Sequence, residues 1–130
     1  MEEPKKYKIL ITDDDTFLLD MYSLKFTQLG FIVDTANGGE MALDKLTKGG
    51  DYDVMLVDLM MPGMDGFHLL ERINIDKLAL HAKKIVLSNL GSEDDLKRCN
   101  ILGVDGYIVK ANSTPNEVVE EVNRLLAHHK

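Results

Sequence analysis

Apolar and polar positions follow two different spacings along this chain. Five short apolar runs alternate with longer segments in which apolar residues recur every three or four positions. Short apolar runs bounded by polar residues predict buried strands, and the longer spacing predicts amphipathic helices. The predicted strands are residues 8–12, 31–36, 54–57, 84–87 and 106–109. Because a helical segment follows each strand, the pattern is that of five βα units.

The predicted helices begin and end at recognisable residues. The first covers about 16–29 and stops at Gly30, the second covers 38–47, and the third starts after a Pro/Gly loop at 59–65. Ser92 caps the fourth, and Thr114 with Glu117 forms a capping box ahead of the fifth. The residues expected to face inward are Phe17, Leu18, Met21, Leu24, Leu29, Met41, Ala42, Leu46, Phe67, Leu70, Ile73, Leu96, Cys99, Leu102, Val118, Val119, Val122, Leu125 and Leu126.

Five βα units favour an open sheet, since a closed barrel of this kind needs eight. The strand at 54–57 is apolar at every position, which indicates burial on both faces and a central place in the sheet. Right-handed crossovers then put helices on both faces. The predicted fold is α/β, a doubly wound five-stranded parallel sheet with the flavodoxin-like strand order 2-1-3-4-5.

Composition narrows the range of functions. The chain has 130 residues and a mass of 14.6 kDa, which predicts one domain over residues 1–130. With 22 acidic and 15 basic residues its formal charge is −7, so we expect no direct nucleic-acid binding. No apolar run approaches the roughly 18 residues of a membrane span, and the amino terminus lacks a signal-peptide core. We therefore expect a cytoplasmic protein whose single cysteine, Cys99, is reduced and buried.

Polar residues end four of the predicted strands. Asp13 and Asp14 follow the first, Asp58 the third, Ser88 the fourth and Lys110 the fifth. In an open α/β sheet the carboxyl edge is where ligands bind. Three carboxylates, a hydroxyl and an ammonium at that edge suit a divalent cation and a phosphoryl group.

These residue types divide the chemistry between them. Three neighbouring carboxylates raise one another's pKa values unless a cation neutralises them, and Mg²⁺ is a hard ion that prefers oxygen ligands. Asp58 follows the most apolar strand and is the best candidate for a nucleophile that forms an acyl phosphate. Ser88 and Lys110 supply a donor and a cation for the phosphoryl oxygens. Read alone, the same aspartates also fit helix or turn capping.

Four segments together resemble the receiver domain of bacterial two-component response regulators: ILITDDD at 9–15, MLVDLMMPGMDG at 55–66, IVLSN at 85–89 and GYIVK at 106–110. The resemblance implies that Asp58 accepts a phosphoryl group from a histidine kinase. It further implies that Asp13, Asp14 and Asp58 hold Mg²⁺ with the backbone carbonyl of Met60. By the same resemblance Ser88 and Lys110 contact the phosphoryl group, and Tyr107 is an aromatic switch that moves inward when Ser88 is drawn toward that group.

The resemblance also implies partners. A sensor histidine kinase or a phosphotransfer protein would donate the phosphoryl group, and a downstream protein would bind the face formed by the fourth helix, fifth strand and fifth helix. A phosphorylation-dependent dimer through that face is a further implication. The chain would catalyse only its own phosphorylation and dephosphorylation. It is either a complete single-domain regulator or a receiver from a longer protein.

The chain departs from the receiver pattern at a few positions. Ala111 stands where proline usually follows the lysine. A cis bond without proline costs about 3 kcal/mol, which favours a trans Lys110–Ala111 bond, but the sequence leaves cis and trans open. Asn89 occupies a position that is usually small. Met60 and Leu90 are apolar where many receivers are polar, which predicts slow self-hydrolysis.

Two other functions fit part of the pattern. A phosphatase with Asp58 as nucleophile would need a second acid two residues later, where this chain has Met60. A degenerate receiver that acts as a phosphorylation-independent interaction module is compatible with Ala111 and Asn89. The retained acidic pair argues against that alternative.

Overall fold

A computed structural model describes residues 6–89, 92–110 and 113–127, in which strands and helices alternate as predicted. In chain order the elements are β1 Lys8–Thr12, α1 Thr16–Gln28, β2 Ile32–Ala36, α2 Gly39–Thr47, β3 Val54–Val57, α3 Gly66–Ile75, β4 Lys83–Ser88, α4 Glu93–Ile101, β5 Gly106–Val109 and α5 Pro115–Ala127. β4 is longer than predicted by one residue at each end, so that Ser88 is its last residue rather than the first residue after it.

The five strands form one parallel sheet in the order β2-β1-β3-β4-β5, which confirms the predicted topology. β3 lies between β1 and β4 and is buried at all four positions. The registers pair Thr12 with Val57 and Ser88 with Val109. Val57 pairs with Val86, so β4 and β5 extend two residues farther than β1 and β3 at the carboxyl edge of the sheet.

The two faces of the sheet carry separate cores. Ile9 and Ile11 of β1 pack with α1 and α5 on one face, whereas Leu10 packs with α2 and α3 on the other. This division follows from the two-residue period of a strand, which sends successive side chains to opposite faces. A third, smaller apolar cluster lies between α3, α4 and β4; its buried members are Leu59, Phe67, Leu70, Val86 and Cys99.

The prediction for the inward face of α1 is wrong in part. Phe17, Leu24 and Leu29 are exposed, and the buried residues are Leu19, Tyr22 and Phe26. Apolar residues lie on several sides of this helix, so their spacing alone allows more than one inward face. Packing against β1 and α5 selects the face that carries Tyr22 and Phe26.

Two further residues expected to face inward are exposed, Met41 on α2 and Leu96 on α4. Both helices bury a narrow stripe: α2 buries Gly39, Ala42 and Leu46, and α4 buries Cys99. Burial of Cys99 confirms its predicted role as a small apolar side chain. None of the helices in the part of the chain described is long and apolar enough to cross a membrane.

The predicted amino-terminal caps are present. The Ser92 hydroxyl accepts a hydrogen bond from the backbone N–H of Asp95 at 3.1 Å. Glu117 and Thr114 form the reciprocal capping box, with distances of 3.0 and 3.2 Å. The Thr114 N–H, which donates to the Glu117 carboxylate, and the Thr114 side chain lower the pKa of that carboxyl.

Four helices end in the same motif. The residue after the C-cap adopts a left-handed conformation in α1 to α4, and its N–H and the next one bond back to carbonyls of the last turn. That residue is Gly30, Gly49 and Gly103 in α1, α2 and α4, but in α3 it is Lys77, with φ 56°. A lysine in this conformation is strained, because its Cβ crowds the backbone.

Candidate functional site

Three aspartates meet at the carboxyl edge of the sheet, as predicted. One carboxylate oxygen from each of Asp13, Asp14 and Asp58 lies within 4.8 Å of the other two. Asp13 and Asp58 directly follow two strands that pair with each other, and the Asp58 N–H donates to the Thr12 carbonyl at 3.0 Å. Continued pairing one residue past the strands therefore sets these two acids side by side.

The acidic cluster is buried on one side and open on the other. Asp13 and Asp58 are only 4% and 6% exposed, whereas Asp14 is exposed. Asp15, the last acid of the run, has a different place: its carboxylate caps α1 by accepting from the N–H groups of Phe17 and Leu18. The helix-capping function considered for these aspartates thus belongs to Asp15, whereas the carboxylates of Asp13 and Asp58 each accept from the N–H two residues later, as in turn capping.

The loop after Asp58 is held close to that residue. The Met60 N–H donates to one Asp58 carboxylate oxygen at 3.3 Å, and the Met60 side chain is exposed. The backbone of Gly66 packs so tightly on this turn that a Cβ there would lie 2.4 Å from the Asp58 carbonyl oxygen. Glycine is therefore required where α3 begins, and it fixes the start of α3 beside Asp58.

Lys110 reaches the cluster from the edge strand β5. Its ammonium nitrogen lies 2.7 Å from a carboxylate oxygen of Asp13 and 3.5 Å from one of Asp58. The Lys110 side chain is 14% exposed. A largely buried cation thus bridges the two buried carboxylates; the sequence predicted that Lys110 lies at this edge, but not these two ion pairs.

The charges in this cluster change one another's protonation. Burial and the negative charge of Asp13 raise the pKa of Asp58 to about 6, although Lys110 opposes this shift. Burial disfavours the charged form of Lys110, but its hydrogen bond to Asp13 and the charge of Asp58 raise its pKa overall. Asp58 therefore holds its proton more tightly than an ordinary carboxyl group does.

The donor set fits a divalent hard cation. All three side chains offer carboxylate oxygens, and the single ammonium of Lys110 balances only part of their negative charge. Hard cations such as Mg²⁺ take oxygen ligands and keep several waters, for which the exposed side at Asp14 leaves room. A cation bound there would lower the pKa of Asp58.

The two remaining predicted residues lie on the neighbouring strands β4 and β5. Ser88 ends β4, the strand between those that lead to Asp58 and Lys110, and it is fully buried. Tyr107 lies on β5 and packs against the third apolar cluster, which includes Cys99 of α4. The predictions for Leu90, Ala111 and the Lys110–Ala111 bond concern residues outside those described.

A surface pocket adjoins the acidic cluster on the α1 side. It has a volume of about 340 Å³ and shares Lys110 with the site. Its lining is Leu18, Met21, Tyr22, Asn89, Lys110, Ser113 and Pro115. Tyr22 is the residue that the sequence reasoning missed. Burial raises its pKa, and the nearby charges of Lys110 and Asp13 respectively lower and raise it. Only its place on the buried face of α1 would have revealed it.

Comparison with known proteins gives a consistent result. The family model described as "Response regulator receiver domain" matches residues 9–123. Among curated proteins, the chain is 33% identical over 126 residues to the transcriptional regulatory protein ResD of Bacillus subtilis and 32% identical over 122 residues to the response regulator SaeR of Staphylococcus aureus. These matches cover 97% and 94% of the chain, but only 50% and 51% of the two relatives.

Solved structures show the same likeness. The chemotaxis protein CheY4 of Vibrio cholerae superposes with a TM-score of 0.85 at 26% identity, over 93% of this chain and 99% of that one. A CheY-like receiver domain protein from Methanospirillum hungatei superposes with a TM-score of 0.87 at 27% identity, over 96% and 97% of the two chains.

Proposed function

Since this chain belongs to the family of response regulator receiver domains, we propose that it accepts a phosphoryl group on Asp58 and thereby switches a partner-binding face. The observation that carries the proposal is the cluster of Asp13, Asp14 and Asp58 with Lys110 bridging two of them. Family membership alone does not identify a working phosphoacceptor, whereas this arrangement supplies nucleophile, metal ligands and countercharge together.

In the proposed reaction a carboxylate oxygen of Asp58 attacks phosphorus. A new oxygen–phosphorus bond forms as the nitrogen–phosphorus bond of a donor phosphohistidine breaks, and the imidazole leaves with the electron pair and takes a proton from solvent. The product is an acyl phosphate on Asp58. The attacking group must be ionised, and a cation that neutralises the neighbouring carboxylates would lower the raised pKa of Asp58 and increase its ionised fraction.

Asp13, Asp14 and Asp58, with the backbone carbonyl of Met60, are the residues that would hold Mg²⁺. When bound, the ion neutralises the carboxylates and screens charge on the phosphoryl oxygens. The ammonium of Lys110 lies 3.5 Å from a carboxylate oxygen of Asp58, so it would pair with an oxygen of a phosphoryl group on that residue. The Ser88 hydroxyl would donate to another phosphoryl oxygen.

The proposed switch runs from Ser88 to Tyr107. Movement of Ser88 toward the phosphoryl group would draw the loop after β4 and allow the Tyr107 ring to turn inward. Tyr107 packs with Cys99 of α4, so its rotation would reshape the face formed by α4, β5 and α5. The change is a population shift between two arrangements that the phosphoryl group binds with different affinity.

The proposed partners bind on two sides of the molecule. Response regulator receivers interact with histidine kinases and downstream effectors, and we propose a histidine kinase or a phosphotransfer protein as the donor here. The pocket lined by Leu18, Met21 and Pro115 beside Lys110 offers apolar surface for the donor. The chain spans about half the length of ResD and SaeR, so the output of the whole protein is proposed only as binding through the α4–β5–α5 face.

The test is intact mass spectrometry after incubation with acetyl phosphate, with and without Mg²⁺. We expect a Mg²⁺-dependent gain of one phosphoryl group in the wild type and none in Asp58→Asn. Asp20→Asn, which alters an exposed acid on α1, is the matched control and should be phosphorylated normally. Absence of a gain from a folded, metal-binding wild type would reject the phosphoacceptor and favour the phosphorylation-independent interaction module.

A further inference from the structure

Of the five helices, α4 is the least buried. Cys99 is its only buried residue, whereas each of the other helices buries three or more. Elements with few buried apolar contacts have the lowest local stability and are the first to move. The attachment of α4 to the rest of the molecule therefore depends on a small number of specific contacts.

These contacts lie in the carboxyl-terminal half of α4 and reach α3. The amide nitrogen of the Asn74 side chain donates to the Leu102 carbonyl, at the C-cap of α4, at 2.8 Å. The guanidinium of Arg98 lies 4.1 Å from the centre of the Phe67 ring, within the range of a cation–π contact. Arg98 also lies 3.9 Å from a carboxylate oxygen of Glu71.

The two ends of α4 are held differently. At the carboxyl end, the left-handed Gly103 and its hydrogen bonds close the helix, and Asn74 adds a bond from a neighbouring helix. At the amino end, Ser92 caps the helix from within the same segment. Residues 93–97 are exposed or half-buried. The amino end is joined to Ser88 through residues 89–92, so a displacement of Ser88 acts on the more weakly held end.

α3 provides a fixed support for these contacts. The Gly66 N–H donates to the Leu59 carbonyl at 3.1 Å, and the close approach of Gly66 to the Asp58 backbone leaves no room for a side chain at this position. α3 also buries five residues. A displacement of α4 would therefore occur relative to α3, and it would stretch or break the contacts made by Arg98 and Asn74.

We propose that Arg98 and Asn74 form a latch that holds α4 against α3 and so limits the affinity of the Asp58 site for a phosphoryl group. This proposal rests on the proposed phosphoacceptor function and adds the regulation of the same site. Thermodynamic linkage predicts the direction in which the affinity changes. If phosphoryl binding displaces α4, contacts that oppose the displacement weaken phosphoryl binding, and removal of those contacts strengthens it.

The latch is tested with the full chain and a phosphoryl mimic, beryllium fluoride in the presence of Mg²⁺. We expect Arg98→Gln and Asn74→Ala each to tighten binding of the mimic by about 3- to 10-fold, the range for one hydrogen bond or one exposed cation–π contact. The matched control is Arg72→Gln, which removes an ion pair with Asp76 within α3 and should leave the affinity unchanged.

Hydrogen exchange of the α4 amides, measured without the mimic, is the second readout. Both latch variants should exchange faster in α4 than the wild type and Arg72→Gln do, with no change in the strands. Unchanged mimic affinity or unchanged α4 exchange in both variants would overturn the latch while leaving phosphorylation of Asp58 intact. If the wild type itself fails to bind the mimic, the proposed function fails, and the regulatory role of the latch fails with it.

Discussion

The ammonium of Lys110 lies 2.7 Å from a carboxylate oxygen of Asp13, 97 positions earlier in the chain. Between the strands that carry them, β1 and β5, lie β3 and β4. Because Lys110 also lies 3.5 Å from Asp58, one cation serves both buried acids. Its removal leaves both negative charges without this partner.

We therefore expect Lys110→Ala to reduce the rate of phosphorylation by acetyl phosphate about 100-fold, the usual effect of losing one preorganised charge-stabilising group. Lys110→Arg should recover part of the rate, since it keeps the charge with a different shape. The measurement is the initial rate of phosphorylation, followed by mass spectrometry, with Lys25→Ala on α1 as the control. An alanine variant as fast as the wild type would show that Lys110 has no catalytic part.

The raised pKa of Asp58 predicts a pH-dependent stability in the absence of divalent cations. Between its unfolded pKa, about 3.9, and its folded value of about 6, the folded protein keeps a proton that the unfolded chain has lost. The free energy of unfolding should thus fall as pH rises through this window, by about 2–3 kcal/mol from this residue.

Asp58→Asn removes this contribution and should be more stable than the wild type at pH 7 without metal. Urea titrations of both proteins at pH 4 to 7.5, with and without Mg²⁺, measure the effect. Addition of Mg²⁺ should stabilise the wild type and reduce the difference in free energy of unfolding between it and Asp58→Asn. If the free energy of unfolding depends on pH in the same way in both proteins, the pH dependence does not arise from Asp58.

Met60 predicts a long-lived phosphorylated form. Its exposed side chain stands next to Asp58 in the loop and offers no group that orients an attacking water. Met60→Asn and Met60→Glu should accelerate loss of the phosphoryl group by about tenfold. This is less than the rate enhancement that a well-positioned acid or base provides. Decay of the phosphorylated mass with time gives the rate. Met41→Asn, at an exposed methionine of α2, should decay like the wild type.

Thr12 carries a buried hydroxyl that has no hydrogen-bond partner among the described residues. It is 2% exposed and pairs with Val57 in the sheet. Thr12→Val keeps the shape and replaces the hydroxyl with a methyl group, so we expect it to increase the free energy of unfolding by about 1 kcal/mol. Thr35→Val, at a half-exposed position of β2, should change stability less. A destabilised Thr12→Val protein would indicate that the hydroxyl is bonded.

Lys77 occupies the left-handed position that glycine holds at the ends of α1, α2 and α4. Lys77→Gly should stabilise the protein by about 0.5–1 kcal/mol, since relief of strain exceeds the added flexibility of the unfolded chain. Gly30→Ala is the reverse change at a position where a Cβ meets no neighbouring atom, and it should destabilise by about 1 kcal/mol. Thermal unfolding of both variants tests whether Lys77→Gly raises the stability and Gly30→Ala lowers it.

The sequence predicts the strands and the acidic cluster of this protein well, for one physical reason. Strands buried on both faces have nearly continuous apolar runs, so a polar residue that follows such a run indicates the end of the strand. Asp58 and Lys110 were therefore identifiable as residues at the sheet edge, and the parallel register brings both to the same edge. The Met60 carbonyl as a ligand and the roles of Ser88 and Tyr107 remain predictions.

The sequence predicts helix faces less reliably. On α1 the apolar residues cover several sides, and only packing against α5 distinguishes buried Phe26 from exposed Leu24. Tyr22 was missed for the same reason. The contact of Asn74 with the Leu102 carbonyl joins two helices through a backbone atom, and no pattern of side chains along the chain indicates such a bond.

The position of β5 at the edge of the sheet has a consequence during synthesis. A nascent chain that has emerged only as far as α4 already contains all three aspartates, but it lacks the ammonium of Lys110. Such a fragment would hold mutually repelling acids without their internal cation. Lys110, which follows β5, thus supplies its countercharge only after the acids that it pairs with have been synthesised.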